Sequence, residues 1–496
     1  MEHTIKTYLD YRKRLMAYEY FDWIAGWDRE TEAPKGSQDH YSKMVGIMAL
    51  EKYKIESAPE YMDAIDTLHR NLDALEPDLA TEIIKAYKEQ RIIRLVPKDE
   101  LIDYQVLVSR ASSVWAKAKE NDDFASFQDT LEQVVTFNKK LVKYLQTDEL
   151  KGYDILLDMY EEGMGVKEYD AFFDHLREEL VPFVKEVTSA PKAKYSRKLK
   201  SATFDKAGQQ AFSEYLLGVF GYDLDHGVLK TSAHPFTSGV ASVDTRITTH
   251  YDEKNVASAI FSTIHEMGHA IYEMQNDPKY DETLLHGGTS LGIHESQSRL
   301  YENMLGRSKA FWETHYDALV NVFPKQLKNV SLDDFFTYIN EAKRSLIRIE
   351  ADELTYALHV MVRYELEKQM INGRLKVSDL PKKWNQLMGR YVGKRPKTDK
   401  EGVLQDIHWS FGSIGYFPTY ALGSAYAAQI YDAMSKDIDI DEAIRSGNIK
   451  AINLWLKDKV HRFGASKSPK EIMMHATGKP FDPSYYVNYL KDKFRP

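Results

Sequence analysis

Apolar side chains recur every three or four positions along most of the chain, which is the spacing of a buried stripe on a helix. One stripe between residues 131 and 145 consists of Leu131, Val134, Val135, Leu141, Val142 and Leu145. A similar pattern begins with Ile5, Tyr8, Leu9 and Leu15. We predict that roughly the first 180 residues are helical, with a break at "EAPKGS" (32–37), where proline and glycine end a helix.

One segment has the two-residue alternation of a β-strand instead. "SVDTRITTHY" (242–251) is rich in β-branched residues. Alternation would place Asp244, Arg246 and Thr248 on the same face. A face that carries charges fits either a solvated edge strand or the wall of a site. The segment ends shortly before the histidine-containing helix described below, which favours the wall of a site.

Composition limits the possible functions. The 496 residues carry a net charge of -9 at pH 7, which argues against a nucleic-acid-binding protein. The chain has no cysteine, so any metal must be held by histidine and carboxylate side chains. No run of about 18 apolar residues predicts a membrane span, and the first residues lack the pattern of a signal peptide. We therefore expect a soluble, cytoplasmic protein.

The segment "FSTIHEMGHAIYEMQ" (261–275) contains two histidines four positions apart. Residues with this spacing differ by about 40° around a helix, so His265 and His269 can direct both imidazoles at one ion. Glu266 would lie beside that ion, where a base could act on a water molecule. Gly268 would let another backbone pass close by. The alternative is a buried helix with two histidines that only complete hydrogen bonds.

A catalytic zinc site needs a third protein ligand. The chain lacks the later glycine and histidine of the H-E-x-x-H-x-x-G-x-x-H class, so that class is excluded. The remaining class takes a glutamate from a later helix. "GGTSLGIHESQSRLYENMLGR" (287–307) offers Glu295 on a first helical turn, with Glu302 as second choice, while His294 would point about 100° away. Glu295 could also be an ordinary acid at a helix N-terminus.

Six short motifs between residues 234 and 409 together resemble the carboxypeptidase Taq family of metallopeptidases. They are "HPF" (234–236), "DTRIT" (244–248), "HEMGH" (265–269), "HESQ" (294–297), "IRIEAD" (347–352) and "GVLQDIHW" (402–409). Each motif is weak alone, but their order and spacing make the combination specific.

The resemblance implies a mainly α-helical fold of the neurolysin and angiotensin-converting-enzyme kind, a helical zincin with a deep groove and a small β-sheet near the metal helix. It also implies a homodimer. We expect one peptidase unit, 1–496, with a helical N-terminal lobe (1–200), a catalytic core with the metal site (201–430) and a C-terminal helical segment (431–496).

Matched residue by residue, the resemblance implies that His265, His269 and Glu295 hold one divalent metal ion per chain, which we expect to be Zn²⁺, with Co²⁺ as an alternative. It implies that Glu266 is the general base and that Arg348 receives the terminal carboxylate of the substrate. The site-shaping or substrate-contacting positions that it implies are His234, Asp244, Arg246, Gln405, Asp406 and His408.

The residue types agree with this assignment. An exopeptidase acting at the C-terminus needs a fixed cation, and arginine offers a planar fork for a carboxylate. Arg348 lies in a segment, 345–358, that we predict to be helical, and its alternative role is a structural salt bridge to Asp352. Tyr416 and Tyr420 follow in a loop with glycine and proline. Their hydroxyls could donate to a developing oxyanion, or both rings could simply be packing aromatics.

The predicted function is a metallocarboxypeptidase that removes single residues from peptides with a free C-terminus. One alternative is an endo-acting metallo-oligopeptidase of the same fold, with the same metal site but no dedicated carboxylate anchor. Another is a peptide-binding protein with an inactive site. Glu266 argues against the inactive site, because a site that only binds a metal has no use for a base.

Overall fold

The computed structural model describes residues 1–191 and 193–495, and 69% of the chain is helical. The N-terminal helices are α1 (Glu2–Thr31), α2 (Gln38–Glu56), α3 (Pro59–His69), α4 (Pro77–Leu95), α5 (Lys98–Asn121), α6 (Ala125–Leu145), α7 (Tyr153–Asp158) and α8 (Val166–Ser189). The predicted helical start and its break are confirmed, because α1 ends just before "EAPKGS" and α2 begins just after it.

The remaining helices surround the candidate site. They are α9 (Lys198–Ser201), α10 (Lys206–Phe220), α11 (Val256–Met274), α12 (Leu291–Arg299), α13 (Lys309–Val322), α14 (Leu332–Ile339), α15 (Glu353–Ile371), α16 (Leu380–Tyr391), α17 (Pro418–Asp437), α18 (Ile440–Arg445), α19 (Ile449–Lys459), α20 (Pro469–Thr477) and α21 (Ser484–Phe494). A π-helical stretch, Leu300–Leu305, continues α12. Within the described part of the chain, no helix has the length and apolarity to cross a membrane.

A small sheet packs against α11. Its strands are β1 (Leu229–Thr231), β2 (Thr237–Ala241) and β3 (Asp244–Thr249), in the order β1-β3-β2. The central strand β3 pairs with β1 in parallel and with β2 in antiparallel orientation. The predicted strand is confirmed. Asp244 and Arg246 are half-buried on one face. Thr248 on the same face is buried, and its hydroxyl accepts the Phe236 N–H at 2.9 Å.

Two hydrophobic clusters hold the helices together. The larger cluster extends along the chain from Val96 to Phe494 and includes all six apolar residues of the predicted α6 stripe. A smaller cluster around Tyr8 and Leu15 joins α1 to α3 and α4. Leu9, which was predicted to belong to the same stripe, is 47% exposed, because it lies one position past the buried face of α1. The division at residues 200 and 430 stays a prediction, as does the deep groove.

Close backbone contacts fix α12 between α11 and α17. A Cβ atom added at Gly268 of α11 would lie 2.9 Å from both the carbonyl oxygen of Gln297 and the Cα of Ser298. This confirms the prediction that Gly268 lets another backbone pass close by. A Cβ added at Gly423 of α17 would lie 2.6 Å from the Cβ of Glu295. Glycine on both neighbouring helices therefore allows α12 to bring Glu295 close to α11.

Candidate active site

Helix α11 presents two histidines on one face. Asn255 caps the helix by accepting the Ser258 N–H, and apolar residues such as Ile264 and Met267 bury its other faces. The rings of His265 and His269 lie 5.0 Å apart, centre to centre, at an angle of 82°. The four-residue spacing therefore brings both imidazoles to the same place, as predicted.

Glu295 reaches the same place from α12. The sequence predicted Glu295 on the first turn of this helix. The helix begins at Leu291, so Glu295 lies on its second turn. The buried Glu161 holds this helix N-terminus, because its carboxylate accepts the Gly292 N–H at 2.8 Å and the Ser290 hydroxyl at 3.0 Å. Burial raises the pKa of Glu161 to about 7.

The three predicted ligands have the geometry of a metal site. Glu295 Oε2 lies 3.6 Å from His265 Nε2 and 3.3 Å from His269 Nε2. All three ligand atoms fall within 4.8 Å of one another. A tetrahedral zinc ion with bonds of about 2.0–2.1 Å separates its ligand atoms by about 3.4 Å. The residues present therefore fit one divalent ion.

Glu302 and His294 contact the Nδ1 atoms of the two histidines. His265 Nδ1 lies 2.9 Å from Glu302 Oε2. His269 Nδ1 lies 2.5 Å from His294 Nδ1, and His294 Nε2 lies 2.8 Å from Glu273 Oε1. These contacts occupy both Nδ1 atoms and leave both Nε2 atoms for the ion, which is the usual arrangement around a metal-binding histidine. His294 lies outside the group of three ligand atoms, which agrees with the prediction that it points away from the ion. Its ring lies 4.6 Å from that of His269, centre to centre, at a tilt of 43°.

Two arginines keep the glutamates ionised. Arg299 Nε donates to Glu295 Oε1 at 2.7 Å, and Arg307 Nη2 donates to Glu302 Oε1 at 3.0 Å. Although burial by itself raises the pKa of Glu295, Arg299 and His265 together lower it well below its usual range. The ionised carboxylate is the form that binds a metal.

Glu266 of α11 contacts the sheet. The Thr237 hydroxyl of β2 lies 2.7 Å from Glu266 Oε2 and 2.8 Å from its backbone carbonyl oxygen. Only 7% of the residue is exposed. Burial raises the pKa of Glu266, which makes it a stronger base near neutral pH. The sheet therefore contacts Glu266 through β2, and the role of the charged face of β3 as a wall of the site stays a prediction.

Arg348 lies in a short 3₁₀ turn, Arg348–Glu350, and not in the predicted helix over 345–358. Helix α15 begins only at Glu353, because Asp352 caps it by accepting the Thr355 N–H at 3.2 Å. Asp352 is therefore not the salt-bridge partner of Arg348. That partner is Asp406, whose Oδ1 accepts from Arg348 Nε at 3.0 Å and from Nη2 at 2.9 Å.

The "GVLQDIHW" motif holds Arg348 in place. Gln405 Oε1 accepts the backbone N–H of Arg348 at 2.8 Å. Asp406 Oδ2 also accepts from Arg363 Nε at 2.9 Å and from Nη2 at 2.7 Å. Although burial by itself raises the pKa of Asp406, Arg363 and Arg348 hold it well below its usual range. The carboxylate is therefore shared between two arginines.

Tyr356 connects this arginine cluster with the metal ligands. Its hydroxyl accepts from Arg348 Nη1 at 3.1 Å. The guanidinium carbon of Arg299, the arginine that holds Glu295, lies 4.3 Å from the centre of the Tyr356 ring. A single aromatic side chain thus separates the predicted carboxylate anchor from the contacts of a predicted metal ligand.

Three further predicted residues form an aromatic group beside Arg348. The Tyr420 hydroxyl lies 3.3 Å from His408 Nε2, and the Tyr416 and Tyr420 rings are 5.3 Å apart. Tyr416 lies in the predicted loop, but Tyr420 is on α17, because Pro418 begins that helix. Burial, together with the charge of Arg348, lowers the pKa of His408 to about 4, so its ring is neutral near pH 7.

The two tyrosines also lie near the metal ligands. Burial raises the pKa of Tyr416, the Glu295 carboxylate raises it further, and Arg348 lowers it. Likewise, the Glu295 carboxylate raises the pKa of Tyr420 and Arg348 lowers it. Both tyrosines therefore lie within electrostatic range of Glu295 and of Arg348.

The remaining predicted residues lie at the sheet. Arg246 donates two hydrogen bonds of 2.8 Å to Asp244, and its guanidinium carbon lies 4.6 Å from the Trp23 ring of α1. The side chain of His234 is exposed. Within the described ranges, none of these three side chains forms a hydrogen bond or ion pair with a metal ligand.

A comparison with known families decides the identity. A family model described as "Carboxypeptidase Taq (M32) metallopeptidase" matches residues 7–494. The chain belongs to this family. It is 41% identical over 490 residues to carboxypeptidase 1 of Bacillus subtilis, covering 99% of this chain and 97% of the relative. It is 35% identical over 495 residues to thermostable carboxypeptidase 1 of Pyrococcus furiosus, covering 99% and 98%.

Solved structures of other M32 carboxypeptidases share the fold. The Pyrococcus furiosus carboxypeptidase matches with a TM-score of 0.95 at 35% identity, over 99% of both chains. Metallocarboxypeptidase 1 of Trypanosoma cruzi matches with a TM-score of 0.95 at 31% identity, over 100% of both chains. The mainly α-helical, zincin-like fold is therefore confirmed. This M32 protein is a metal-dependent carboxypeptidase, and nothing supports the oligopeptidase alternative.

Sequence reasoning missed several residues that hold the M32 site together. Arg299 follows Glu295 at i+4, and this helical spacing could have suggested that the two side chains share a face. Glu273 follows His269 at i+4 on α11, which is the same kind of signal. Glu161 and Arg363 offered no comparable signal, because each comes from another part of the chain and reaches the site only through packing.

Proposed function

We propose that His265, His269 and Glu295 hold one divalent ion, Zn²⁺ in the native enzyme, with Co²⁺ as an alternative because histidine and carboxylate ligands do not select zinc sharply. The single observation that carries this proposal is the fit of three ligand atoms to the ligand spacing of a tetrahedral ion. A bound ion would supply Lewis-acid polarisation of the scissile carbonyl and would lower the pKa of the attacking water.

Glu266 is the general base in this proposal. Its carboxylate takes the proton of the attacking water and returns it to the leaving amine. Thr237 holds the carboxylate through a hydrogen bond of 2.7 Å and so restricts its orientation. Tyr416, Tyr420 and His408 donate hydrogen bonds to the oxygen on which negative charge develops. Support for the tyrosines comes from the influence of both Glu295 and Arg348 on their pKa values.

Arg348 receives the terminal carboxylate of the peptide, so that cleavage releases one residue at a time. Of the five side-chain N–H donors of Arg348, three form hydrogen bonds to Asp406 and Tyr356. Two N–H groups therefore remain for a substrate, counted over the described residues. Gln405 and Asp406 support this role by fixing the backbone and the side chain of Arg348. His234, Asp244 and Arg246 would shape the sheet side of the substrate site.

The test compares a free-acid peptide with its C-terminal amide. Leaving a buried charge without its partner costs about 2–5 kcal/mol, which at about 1.4 kcal/mol per factor of ten corresponds to about 30- to 4,000-fold in kcat/KM. We expect the enzyme to prefer the acid by that factor, and Arg348→Met to remove most of the preference while keeping the metal. Equal rates on both peptides with the unmodified enzyme would contradict the role of Arg348.

We also propose that the chain forms a homodimer. The support is helix α2, which exposes Met44, Ile47 and Leu50 by 43%, 57% and 57% at three-residue spacing. An apolar face of this kind is typical of a protein contact. Sedimentation velocity measures the oligomeric state, and a monomer at micromolar concentration would contradict the proposal. A cytoplasmic location stays a prediction from the sequence.

A further inference from the structure

Asp406 bridges two buried arginines with its two oxygen atoms. Oδ1 accepts from Arg348 and Oδ2 accepts from Arg363, and the salt-bridge distances are 2.9 and 2.7 Å. The side chains of Arg348, Asp406 and Arg363 are 6%, 9% and 0% exposed. At this depth, charges interact more strongly than at the surface, because little water screens them. The sum of the three charges therefore matters for any ion that approaches.

A pair of only Arg348 and Asp406 would be neutral. Such a pair would attract a peptide carboxylate weakly, because Asp406 repels what Arg348 attracts. With Arg363 the group carries a net charge of +1. The nearby His359 and His408 do not change this sum, since burial lowers the pKa of these rings to about 3 and about 4, respectively.

Two other charged groups lie at the margins of this cluster. The Lys119 ammonium donates to the backbone carbonyl oxygen of Gln405 at 2.9 Å, on a partly exposed side chain. The Glu367 carboxylate accepts from Trp409 Nε1 at 2.7 Å and from the Tyr153 hydroxyl at 2.6 Å, and so it is held by other partners. Asp406 is therefore the carboxylate that competes most directly for Arg348.

Arg363 meets the carboxylate pocket through Asp406. Its side chain is 0% exposed. Its Nη1 donates to the carbonyl oxygen of His359 at 2.7 Å, and its guanidinium carbon lies 4.4 Å from the Trp384 ring. These contacts hold it on the side of Asp406 away from Arg348. A substrate that reaches Arg348 does not touch Arg363.

We propose that Arg363 is a positioning residue that sets the charge of the carboxylate pocket, because it neutralises Asp406 from the buried side and leaves the charge of Arg348 available to the terminal carboxylate of the substrate. This inference rests on the proposed role of Arg348. It assigns a function in substrate selection to a residue outside the six sequence motifs.

The experiment separates charge from structure by a charge-rescue design. Arg363→Met makes the remaining pair neutral, and Arg363→Met combined with Asp406→Asn restores a net charge of +1 on Arg348 alone. Arg363→Lys keeps the charge with a different shape. For each variant, kcat/KM is measured on the matched free-acid and amide peptides, and the acid-to-amide ratio is the readout. Arg177→Met is the matched control. It removes an arginine that donates to Glu365, a residue of α15, the helix that also carries Arg363.

We expect Arg363→Met to lower the acid-to-amide ratio by about tenfold or more, chiefly through KM, since it removes most of the net attraction for the carboxylate. The double variant and Arg363→Lys should recover the ratio to within about threefold of the unmodified enzyme. Arg177→Met should leave the ratio unchanged. A purely structural role would predict that the double variant is at least as impaired as the single one.

Two results would overturn the proposal. One is an unchanged ratio in Arg363→Met. The other is a double variant that is folded by circular dichroism but has the low acid-to-amide ratio expected of a neutral pocket. The double variant decides the question even if Arg363→Met does not fold. A failure of the proposed role of Arg348 would give a different result. The unmodified enzyme would then show no preference for the free-acid peptide, or Arg348→Met would retain that preference.

Discussion

Substitution of Gly268 by alanine tests how closely the metal site depends on the crossing of α11 and α12. The new Cβ would lie 2.9 Å from the carbonyl oxygen of Gln297 and from the Cα of Ser298, and 3.1 Å from the Cβ of Tyr301. Ordinary contacts begin at 3.4 Å, so the helices must separate by 3.4 − 2.9 = 0.5 Å. The closest atoms belong to the backbone, which cannot move aside as a side-chain tip can.

The separation acts directly on the metal ligands, since α12 carries Glu295 and α11 carries His265 and His269. The gaps from Glu295 Oε2 to the two imidazoles are 3.6 and 3.3 Å. Metal–ligand distances tolerate only about ±0.2 Å, so a shift of 0.5 Å exceeds what the site can absorb. We expect metal affinity to fall by about 10- to 100-fold, as it does when supporting residues of a metal site are lost.

The stability of the metal-free protein should change less. Overpacking costs about 1–3 kcal/mol, and replacing a helical glycine by alanine gains about 1 kcal/mol. The free energy of unfolding should therefore fall by about 0–2 kcal/mol. Gly218→Ala in α10 is the matched control, because a Cβ there meets no atom within 4 Å. That variant should gain up to about 1 kcal/mol and bind the metal normally.

The assay is a competition titration of Zn²⁺ against a chelator for both alanine variants and the unmodified protein, followed by denaturant unfolding of the metal-free forms. If Gly268→Ala bound Zn²⁺ as tightly as Gly218→Ala does, the close crossing would not be what sets the ligand geometry. A large loss of stability without a loss of affinity would also refute the reasoning, because the ligands would then be held by other contacts.

Further expected outcomes concern the base and a buried carboxyl group. Glu266→Gln should retain the metal and lose about 10²–10⁴-fold in kcat, the usual contribution of a general base, and near-normal turnover would contradict its role. Burial raises the pKa of Glu161 from 4.5 to about 7. Protonated Glu161 therefore stabilises the fold fully below pH 4.5, and this contribution is lost as the pH rises through 7. Metal-free Glu161→Gln should show a smaller fall in Tm over this range than the unmodified protein, and identical Tm profiles would show that Glu161 does not titrate there.

The local periodicity of the sequence was sufficient to predict much of the fold. The stripe on α6 and the common face of His265 and His269 were predicted correctly, because a helix has one fixed rotation per residue, whatever surrounds it. The predicted strand was found for the same reason, since its alternation follows from backbone geometry. The break between α1 and α2 followed from proline and glycine, whose backbone preferences are also local.

The choice between possible partners depended on contacts between distant parts of the chain. Glu295 and Glu302 lie on one helical stretch, and only the crossing of α12 with α11 makes the first a candidate ligand and the second the support of His265. Arg348 meets Asp406, 58 residues later in the chain, and not the nearby Asp352. Helix spacing specifies which side chains share a face, but how helices pack decides which faces meet, and that packing depends on the shapes of many side chains at once.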